Sequence, residues 1–364
     1  MSRVRSVQLG ISRQALHHNL QVVRDAAPYA RVLSMVKADA YGHGARLVAE
    51  TLAESDGFGV AFLDEALALR AAGIQRPILV LEGVFSDMEM FEAVRQRLSV
   101  VVHQEEQIAF LENCKLTGPV DVWLKVDSGM HRLGFSPEAA VTAFRRIRAA
   151  RIVGEIGLLT HFSAADELDS SQTEKQIGRF RALQQALSRN GERVIPDSLA
   201  NSAAILAWPA SHGSWVRPGI MLYGCSPFPD RTADELGLRP VMTLSSRLIA
   251  VRHLKKGESV GYGGTWTAQQ DTRIGVVAIG YGDGYPRHAR NGTPVLVGGH
   301  RVPLVGRVSM DMITVELGSL PVDIGEICVL WGEGLSADEI AVHAGTISYE
   351  LFCKVTARVR REVW

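Results

Sequence analysis

Cysteine is scarce in this chain, at four residues in 364. Cys114, Cys225, Cys328 and Cys353 are scattered and form no C-x-x-C pair, so neither a zinc site nor a disulfide framework is expected, and no metal is implied. Net charge is missing as well. Lys+Arg and Asp+Glu both number 39, so no overall field draws the chain to nucleic acid, an anionic membrane or an acidic protein. No apolar run is long enough to span a bilayer, and the first twenty residues hold no apolar signal core, which makes a cytoplasmic, reducing location the expectation. The glycines include no Walker A and no G-x-G-x-x-G opening a strand–turn–helix unit, so nucleotide binding has little support. Internal repeats and low-complexity segments are absent too.

What is present reads as a soluble globular protein of about two domains, with 46% hydrophobic and 21% charged residues. Organisation begins at Arg31–Gly44, RVLSMVKADAYGHG. Arg31–Val36 is a short apolar run with β-branched residues, a buried strand. Lys37 stands where that strand ends, and Ala38–Gly44 supplies a tight turn carrying Tyr41 and His43. Burial at a strand end favours a neutral amine, a possible nucleophile or Schiff-base former. Taken alone, such a lysine more often snorkels to water.

A short strand over Ser6–Leu9 precedes a helix that Ser12 can cap, running to about Ala26. Eight strands follow at fairly even spacing: Arg31–Val36, Gly57–Phe62, Pro77–Glu82, Leu98–His103, Asp121–Val126, Glu155–His161, Asp197–Asn201 and Ser214–Arg217. Helical periodicity fills the gaps at Ala45–Glu54, Leu63–Ala72, Asp87–Gln96, Glu105–Cys114, Pro137–Ala150, Thr173–Asn190 and Ala203–Trp208. Buried strands alternating with helices predict an α/β fold, an eight-stranded (β/α)8 barrel. Chemistry in that fold sits at the carboxyl ends of the strands. Lys37, Lys125, His161, Asn201–Ser202 and Arg217 would ring one mouth there. The loops after strands seven and eight often bind phosphate through backbone N–H groups and a helix N-terminus. Asn201–Ser202 and Pro218–Gly219–Ile220 fit that use, or are simple tight turns.

Phe228–Pro240 is polar and bounded by prolines, a linker. The period changes beyond it. Val241–Leu254, Thr272–Ile279, Thr293–Val297, Val302–Val305, Ser309–Leu317 and Ile327–Trp331 read as strands, with turns at Lys256–Gly257 and Gly298–Gly299. Short helices at Ser336–Ala344 and Tyr349–Val355 complete a mostly antiparallel C-terminal β domain. The expected boundaries are 1–237 for the barrel and 238–364 for the β domain.

V-K-A-D-A-Y-G-H-G (Val36–Gly44) closely resembles the signature of alanine racemase, a pyridoxal-phosphate (PLP) family with a barrel and a C-terminal β domain. The resemblance runs the length of the chain. It includes W-L-K-V-D-S-G-M-H-R-L-G (Trp123–Gly134), T-H-F-S (Thr160–Ser163), A-N-S-A (Ala200–Ala203) and V-R-P-G-I-M-L-Y-G (Val216–Gly224). It continues through V-G-Y-G-G-T-W (Val260–Trp266), G-Y-G-D-G-Y-P-R (Gly280–Arg287), V-G-R-V-S-M-D-M (Val305–Met312) and I-S-Y-E (Ile347–Glu350).

Carried over position by position, the resemblance makes Lys37 the lysine to which PLP is attached. Tyr41, Ser202, Gly219, Ile220 and Tyr349 correspond to the phosphate-binding set, Arg217 to the residue facing the pyridine nitrogen, and His161 to one packed near the ring. Tyr262 corresponds to the second catalytic base, supplied by the other subunit of a homodimer. Arg132 corresponds to a group beside the cofactor's phenolic oxygen and the substrate carboxylate. Met310 and Asp311 fall where the second subunit lines the substrate pocket. Lys125 matches a lysine carbamylated in many members, whose anion orients the arginine at Arg132. Asp166, Arg287, Arg307, Ile347 and Tyr349 fall where the family narrows the substrate entrance.

The chemistry needs these residue types. Racemisation removes an unactivated α-proton and returns it on the opposite face, so two opposed acid–base groups serve better than one that crosses the plane. Lys37 can serve one face and Tyr262 the other, a phenolate being favoured by a neighbouring cation such as Arg132. Arg217 is the unusual choice. A guanidinium donates hydrogen bonds and cannot take the ring-nitrogen proton, so the ring stays a weaker electron sink than one paired with a carboxylate. That suppresses side reactions and suits racemisation.

Outside the resemblance, His161 could be a hydrogen-bonded core histidine, Tyr262 a solvated hairpin tyrosine, Lys125 a neutral barrel-interior lysine or a salt-bridge partner of Asp127, Asp311 a turn cap, and Arg287 and Arg307 solvent-facing. The expected substrate is alanine, its product D-alanine feeding peptidoglycan or the reverse serving catabolism. A broad-spectrum racemase of the same fold is the nearest alternative. A PLP carrier on the same barrel would lack Val241–Trp364, and a basic amino-acid decarboxylase would place an acid where Arg217 stands. An interaction scaffold would leave the charged strand ends as accident.

Overall fold

Runs of three to seven apolar residues between turn signals are too short for helices, and side by side they satisfy their backbone as a parallel ladder buried on both faces. The computed structural model describes residues 7–115, 118–189 and 195–364. Ser6 and Asn190, expected at the ends of a strand and a helix, lie outside the described residues. After β1 (Gln8–Ile11) come β2 (Arg31–Met35), β3 (Gly57–Val60), β4 (Ile78–Val80), β5 (Ser99–Val102), β6 (Val120–Lys125), β7 (Val153–Leu159), β8 (Asp197–Ser198) and β9 (Trp215–Val216). β2 to β9 form a closed parallel barrel. Closure is made by β9 on β2, with Trp215 opposite Arg31 and Val216 opposite Val32.

Helices follow the strands as the periodicity predicts, at Ala45–Thr51, Leu63–Ala71, Asp87–Arg95, Glu105–Asn113, Pro137–Ala149, Gln172–Arg189 and Ser202–Ala207. Several starts are fixed by a side-chain oxygen accepting from a helical N–H. Ser86 takes Glu89 N at 3.1 Å, Ser136 takes Ala139 N at 3.2 Å, and Asn201 takes Ala204 N at 3.0 Å. Val32, Phe58, Val60, Ile78, Val80, Val100, Val122, Leu124 and Leu158 share one buried face of the strands, and the alternate face carries Leu33, Met35, Trp123 and Lys125, with the Trp123 and Trp215 rings 6.3 Å apart. No helix among the described residues is long and apolar enough to cross a membrane.

The chain separates into two units. One is His17–Leu222 with Pro227–Arg231, which holds the barrel. The other comprises the N-terminal segment through Leu16, Tyr223–Ser226 and Thr232–Trp364. It contains β10 (Met242–Leu254), β11 (Ser259–Val260), β12 (Trp266–Thr267), β13 (Thr272–Val277), β14 (Pro294–Val297), β15 (His300–Pro303), β16 (Ile313–Glu316), β17 (Ile327–Trp331) and β18 (Arg360–Val363). The sheet path is β15-β14-β17-β10-β1-β18, with β13 joined to β10 and β16. Every pair is antiparallel except β1 with β18. The N-terminal strand thus pairs far along the sequence, Leu9 with Leu244 and with Arg361.

Three details differ from the sequence reading. β18 and the β11–β12 hairpin went unread, because Arg360–Val363 is mostly charged and the hairpin strands are two residues each. The strand expected from Ser309 begins only at Ile313; Ser309 N donates to Met312 O at 3.0 Å, making Met310–Asp311 a turn. The polar segment before Pro240 is pinned rather than loose. Leu238 is buried and donates to Ala233 O at 2.9 Å.

Candidate active site

Lys37 follows the last barrel position of β2, where Val36 N still donates to Gly59 O at 2.8 Å. The next four residues all take positive φ, at 53°, 52°, 54° and 53° for Ala38, Asp39, Ala40 and Tyr41. This is one left-handed helical turn in L-residues other than glycine, each of which carries an intrinsic cost. Side chains hold it in place. The Glu65 carboxylate accepts Ala38 N at 2.6 Å and Ala61 N at 2.7 Å, tying the turn to the end of β3. Asp39 Oδ1 accepts Ala45 N at 2.8 Å, starting the next helix. The turn carries Tyr41 into the interior and leaves the Lys37 amine half-buried.

Burial lowers the Lys37 amine from its ordinary value; Glu82 and Glu65 oppose the shift, while Arg132 and Arg217 reinforce it. Lys125, the last residue of β6, is buried and pushed down to about 8, chiefly by desolvation and against the pull of Glu82. His161 is held well below the usual histidine range by burial, then by Arg217, Arg132, Lys125 and Lys37. Five sequence-predicted groups, Lys37, Lys125, Arg132, His161 and Arg217, therefore share one electrostatic neighbourhood at the strand ends.

Arg217, just after β9, is buried, which brings it down to about 10 and leaves it charged at neutral pH. Its Nη1 donates to Ser198 Oγ at 2.6 Å, and Nη2 to Thr160 O at 2.7 Å and Leu199 O at 3.2 Å. Nη2 also lies 3.4 Å from His161 Nδ1. A guanidinium has no acceptor, so Nδ1 accepts and the neutral His161 ring carries its proton on Nε2.

Tyr41, Ser202 and Gly219 meet on the same side of the barrel. Ser202 Oγ accepts Gly219 N at 2.8 Å and Met221 N at 3.4 Å, leaving its own O–H to donate. A Cβ at Gly219 would lie 2.5 Å from the Tyr41 hydroxyl, so only glycine admits that hydroxyl there. Ile220 opens the buried turn Ile220–Tyr223 immediately after. Two hydroxyls beside a glycine backbone, an amine poised towards its neutral form and a buried guanidinium are the donors that a phosphate, an aldehyde carbon and a pyridine nitrogen require. The barrel residues fit PLP.

Arg132 sits in an exposed loop whose root is fixed by Asp127. Oδ1 of Asp127 accepts the N–H groups of Gly129, Met130 and His131 at 2.9, 3.0 and 3.0 Å, and Oδ2 lies 3.1 Å from His131 Nδ1. Burial works to raise this carboxyl, yet the donors hold it below the usual carboxylate range. Asp127 thus serves the loop rather than Lys125. Asp166, also expected at the entrance, is exposed in the loop after β7.

The remaining predicted residues belong to the other unit. Tyr262 opens the short turn between β11 and β12 and is 69% exposed. The Arg307 guanidinium lies alongside the neighbouring Gly263, where a Cβ would come 3.4 Å from Nη1. Met310 is 54% exposed at its turn. Asp311 pairs with Arg358, whose Nε also donates to the buried Asp283 at 2.9 Å. Arg287 is exposed. Ile347 caps the helix Ser348–Lys354 and is 60% exposed; Tyr349, in its first turn, is half-buried.

Sequence reading missed Glu82, Glu65 and Gln176. Glu65 had a signal, an acid at the third position of a helix, where N-terminal capping boxes place one. Glu82 had one as well, an acid closing the apolar run Pro77–Glu82, whereas Gln176 had none.

Comparison with known proteins matches residues 11–227 to the alanine racemase N-terminal domain and residues 241–363 to the alanine racemase C-terminal domain. Alanine racemase of Vibrio cholerae is 53% identical over 351 residues, 96% of each chain. That of Vibrio atlanticus is 52% identical over 361 residues, 99% of each. Among solved structures, the biosynthetic alanine racemase of Pseudomonas aeruginosa superposes with a TM-score of 0.94 at 47% identity, covering 99% of this chain and 100% of its own. That of Acinetobacter baumannii gives 0.94 at 40%, with the same coverage. With both halves matched in order and half the residues shared over full-length relatives, the chain is an enzyme and belongs to the alanine racemase family.

Proposed function

We propose that this enzyme interconverts L- and D-alanine with bound PLP, through two bases on opposite faces of the substrate. The observation that carries the reading is the set of cations at the barrel mouth. It holds a lysine pushed towards its neutral form and, at the ring-nitrogen position, a buried arginine. PLP, when bound, supplies the electron withdrawal that acidifies the α-carbon. Lys37 would hold it, with Tyr41, Ser202, Gly219, Ile220 and Tyr349 on its phosphate, Arg217 at the pyridine nitrogen and His161 against the ring. Arg217 would donate to that nitrogen and give it no proton, a pairing that would keep the withdrawal modest and suit reprotonation of the α-carbon.

The Lys37 amine takes or returns the α-proton on one face, and the Tyr262 hydroxyl does so on the other. Arg132 binds the substrate carboxylate, and its guanidinium favours the developing phenolate. Lys125, carbamylated, would present an anion to Arg132 and fix its orientation; an amine lowered to about 8 offers far more of the neutral nucleophile that CO2 needs than an ordinary lysine does. Met310 and Asp311 line the substrate pocket, Tyr349 and Met310 keep it small enough to favour a methyl side chain, and Asp166, Arg287, Arg307 and Ile347, with Tyr349, narrow its entrance.

The barrel within residues 1–237 carries the cofactor-binding groups other than Tyr349, and 238–364 deliver Tyr262, Met310 and Asp311 to a second subunit. The exposure of Tyr262, Met310 and Ile347 in the single chain supports a homodimer that covers them. The product D-alanine supplies peptidoglycan precursors in the cytoplasm, and the reverse direction serves alanine catabolism.

L-alanine incubated with the PLP-loaded protein in D2O tests the reading. Loss of the α-proton signal with formation of D-alanine is the expected result. Exchange without D-alanine would leave only one of the two bases standing and remove the two-base reading. Absence of exchange with PLP bound would overturn the assignment.

A further inference from the structure

Helix Gln172–Arg189 sends three side chains, at positions i, i+4 and i+7, to the loops that carry Arg132 and His161. Gln172 Nε2 donates to Gly129 O at 3.1 Å, and Arg179 Nη1 to Ser128 O at 3.0 Å. Between them Gln176 is wholly buried, and its amide is used completely. Nε2 donates to Ser128 Oγ at 3.2 Å and to His161 O at 3.1 Å. Oε1 accepts Ser163 N at 3.0 Å and Ser163 Oγ at 3.1 Å. An amide has two donors and two lone pairs, and here all four are engaged.

The partners form one chain of contacts towards the site. Ser128 Oγ lies 2.7 Å from Thr160 Oγ1, and Thr160 O takes the Arg217 guanidinium at 2.7 Å. The approach is tight. A Cβ at Gly129 would come 2.8 Å from Arg179 Nη1. Asp127 gathers the loop's N–H groups from within, and the helix grips the same loop from outside.

We infer that Gln176 is a positioning residue for the racemase reaction, fixing where Arg132 and His161 stand relative to each other. This rests on the racemase reading for its kinetic consequence and on the hydrogen bonds alone for the anchoring. The amide binds both loops at once, the β6 loop through Ser128 and the β7 loop through His161 and Ser163. Losing its two N–H donors loosens the loop bearing Arg132, although Asp127, Gln172 and Arg179 still grip it. The substrate carboxylate then loses affinity in the ground and transition states alike, which raises KM more than it lowers kcat. A residue that merely held the barrel together would instead reduce the number of working molecules, lowering kcat at constant KM.

The test compares wild type with Gln176→Met, which removes all four bonds at similar volume, and Gln176→Glu, which keeps only the acceptor side. In the PLP-loaded enzyme, both variants should raise KM for L-alanine on the order of tenfold with kcat within about threefold. In the protein without PLP, amide hydrogen exchange should quicken at residues 128–132 in both variants. At Ser163 it should quicken only in Gln176→Met, with the other barrel strands as protected as in wild type. Should Gln176→Met fail to fold, Gln176→Glu carries the same comparison. An unchanged KM, or exchange that quickens throughout the barrel, would overturn the proposal. Wild type that binds PLP without racemising alanine would overturn the racemase reading, while the exchange measurement would still decide the anchoring.

Discussion

Lys125 links the barrel's interior to pH. Its amine is near 8 in the folded chain against 10.5 for an ordinary lysine, so between those values the unfolded chain binds more protons and stability rises with pH. The rise is absent below about 8, where both states are protonated, and complete above 10.5. Lys125→Met removes this contribution. The urea midpoint of wild type relative to the variant, in bicarbonate-free buffer without PLP, should therefore climb from pH 7.5 to 9.5, and a flat difference would show that the amine is not depressed. Gly219 answers to sterics instead. Gly219→Ala sets a methyl against the Tyr41 hydroxyl, so PLP affinity should fall at least about tenfold, as expected when positioning groups are displaced. Adding Tyr41→Phe should recover thermal stability without recovering affinity, because the clash goes and the hydroxyl goes with it. Lys37, Lys125, His161, Ser202 and Arg217 were legible in the sequence because each is a polar residue ending an apolar run. Glu82 ends such a run too and was passed over; Gln176 was not legible. Gln176 acts on Ser128, 48 residues away, and nothing local distinguishes it from any glutamine on a helix.

Among the elements, the turn after β2 behaves unlike any helix that the pattern predicts. The sequence reading expects a tight turn over Ala38–Gly44, and periodicity cannot tell a left-handed turn from a right-handed one. Ala38 pays the left-handed penalty with an exposed methyl that packs against nothing evident. Ala38→Gly should accordingly stabilise the protein by about 1 kcal/mol, whereas glycine in a right-handed helix destabilises by about as much. Chemical denaturation of the single variant settles the sign, and a loss of stability would mean that side-chain packing outweighs the backbone. The barrel strands were readable because burial on both faces demands continuous apolar residues. The edges of the other unit were not. β18 is mostly charged, and β11 and β12 are too short to show a period; their pairing comes from partners, not from composition.

At the scale of the whole molecule, the two groups of site residues fall in different units, and the proposed dimer makes each complete the other's site. Family models cover both halves, so the pairing of a lysine-bearing barrel with a tyrosine-bearing sheet belongs to the chain as a whole. Two subunits related by a twofold axis would hold two equivalent sites, each with Lys37 from one chain and Tyr262 from the other. Lys37→Ala and Tyr262→Phe homodimers should each be inactive in racemisation, since every site lacks one base. Mixed and allowed to exchange subunits, they form heterodimers in which one site carries both mutations and the other carries neither. Random exchange makes half of the dimers mixed, so activity should return to about a quarter of the wild-type value per site. Measured by formation of D-alanine from L-alanine after unfolding and co-refolding an equimolar mixture, that recovery requires shared sites. If each site drew both bases from one chain, every site in the mixture would lack one of them and no activity would return.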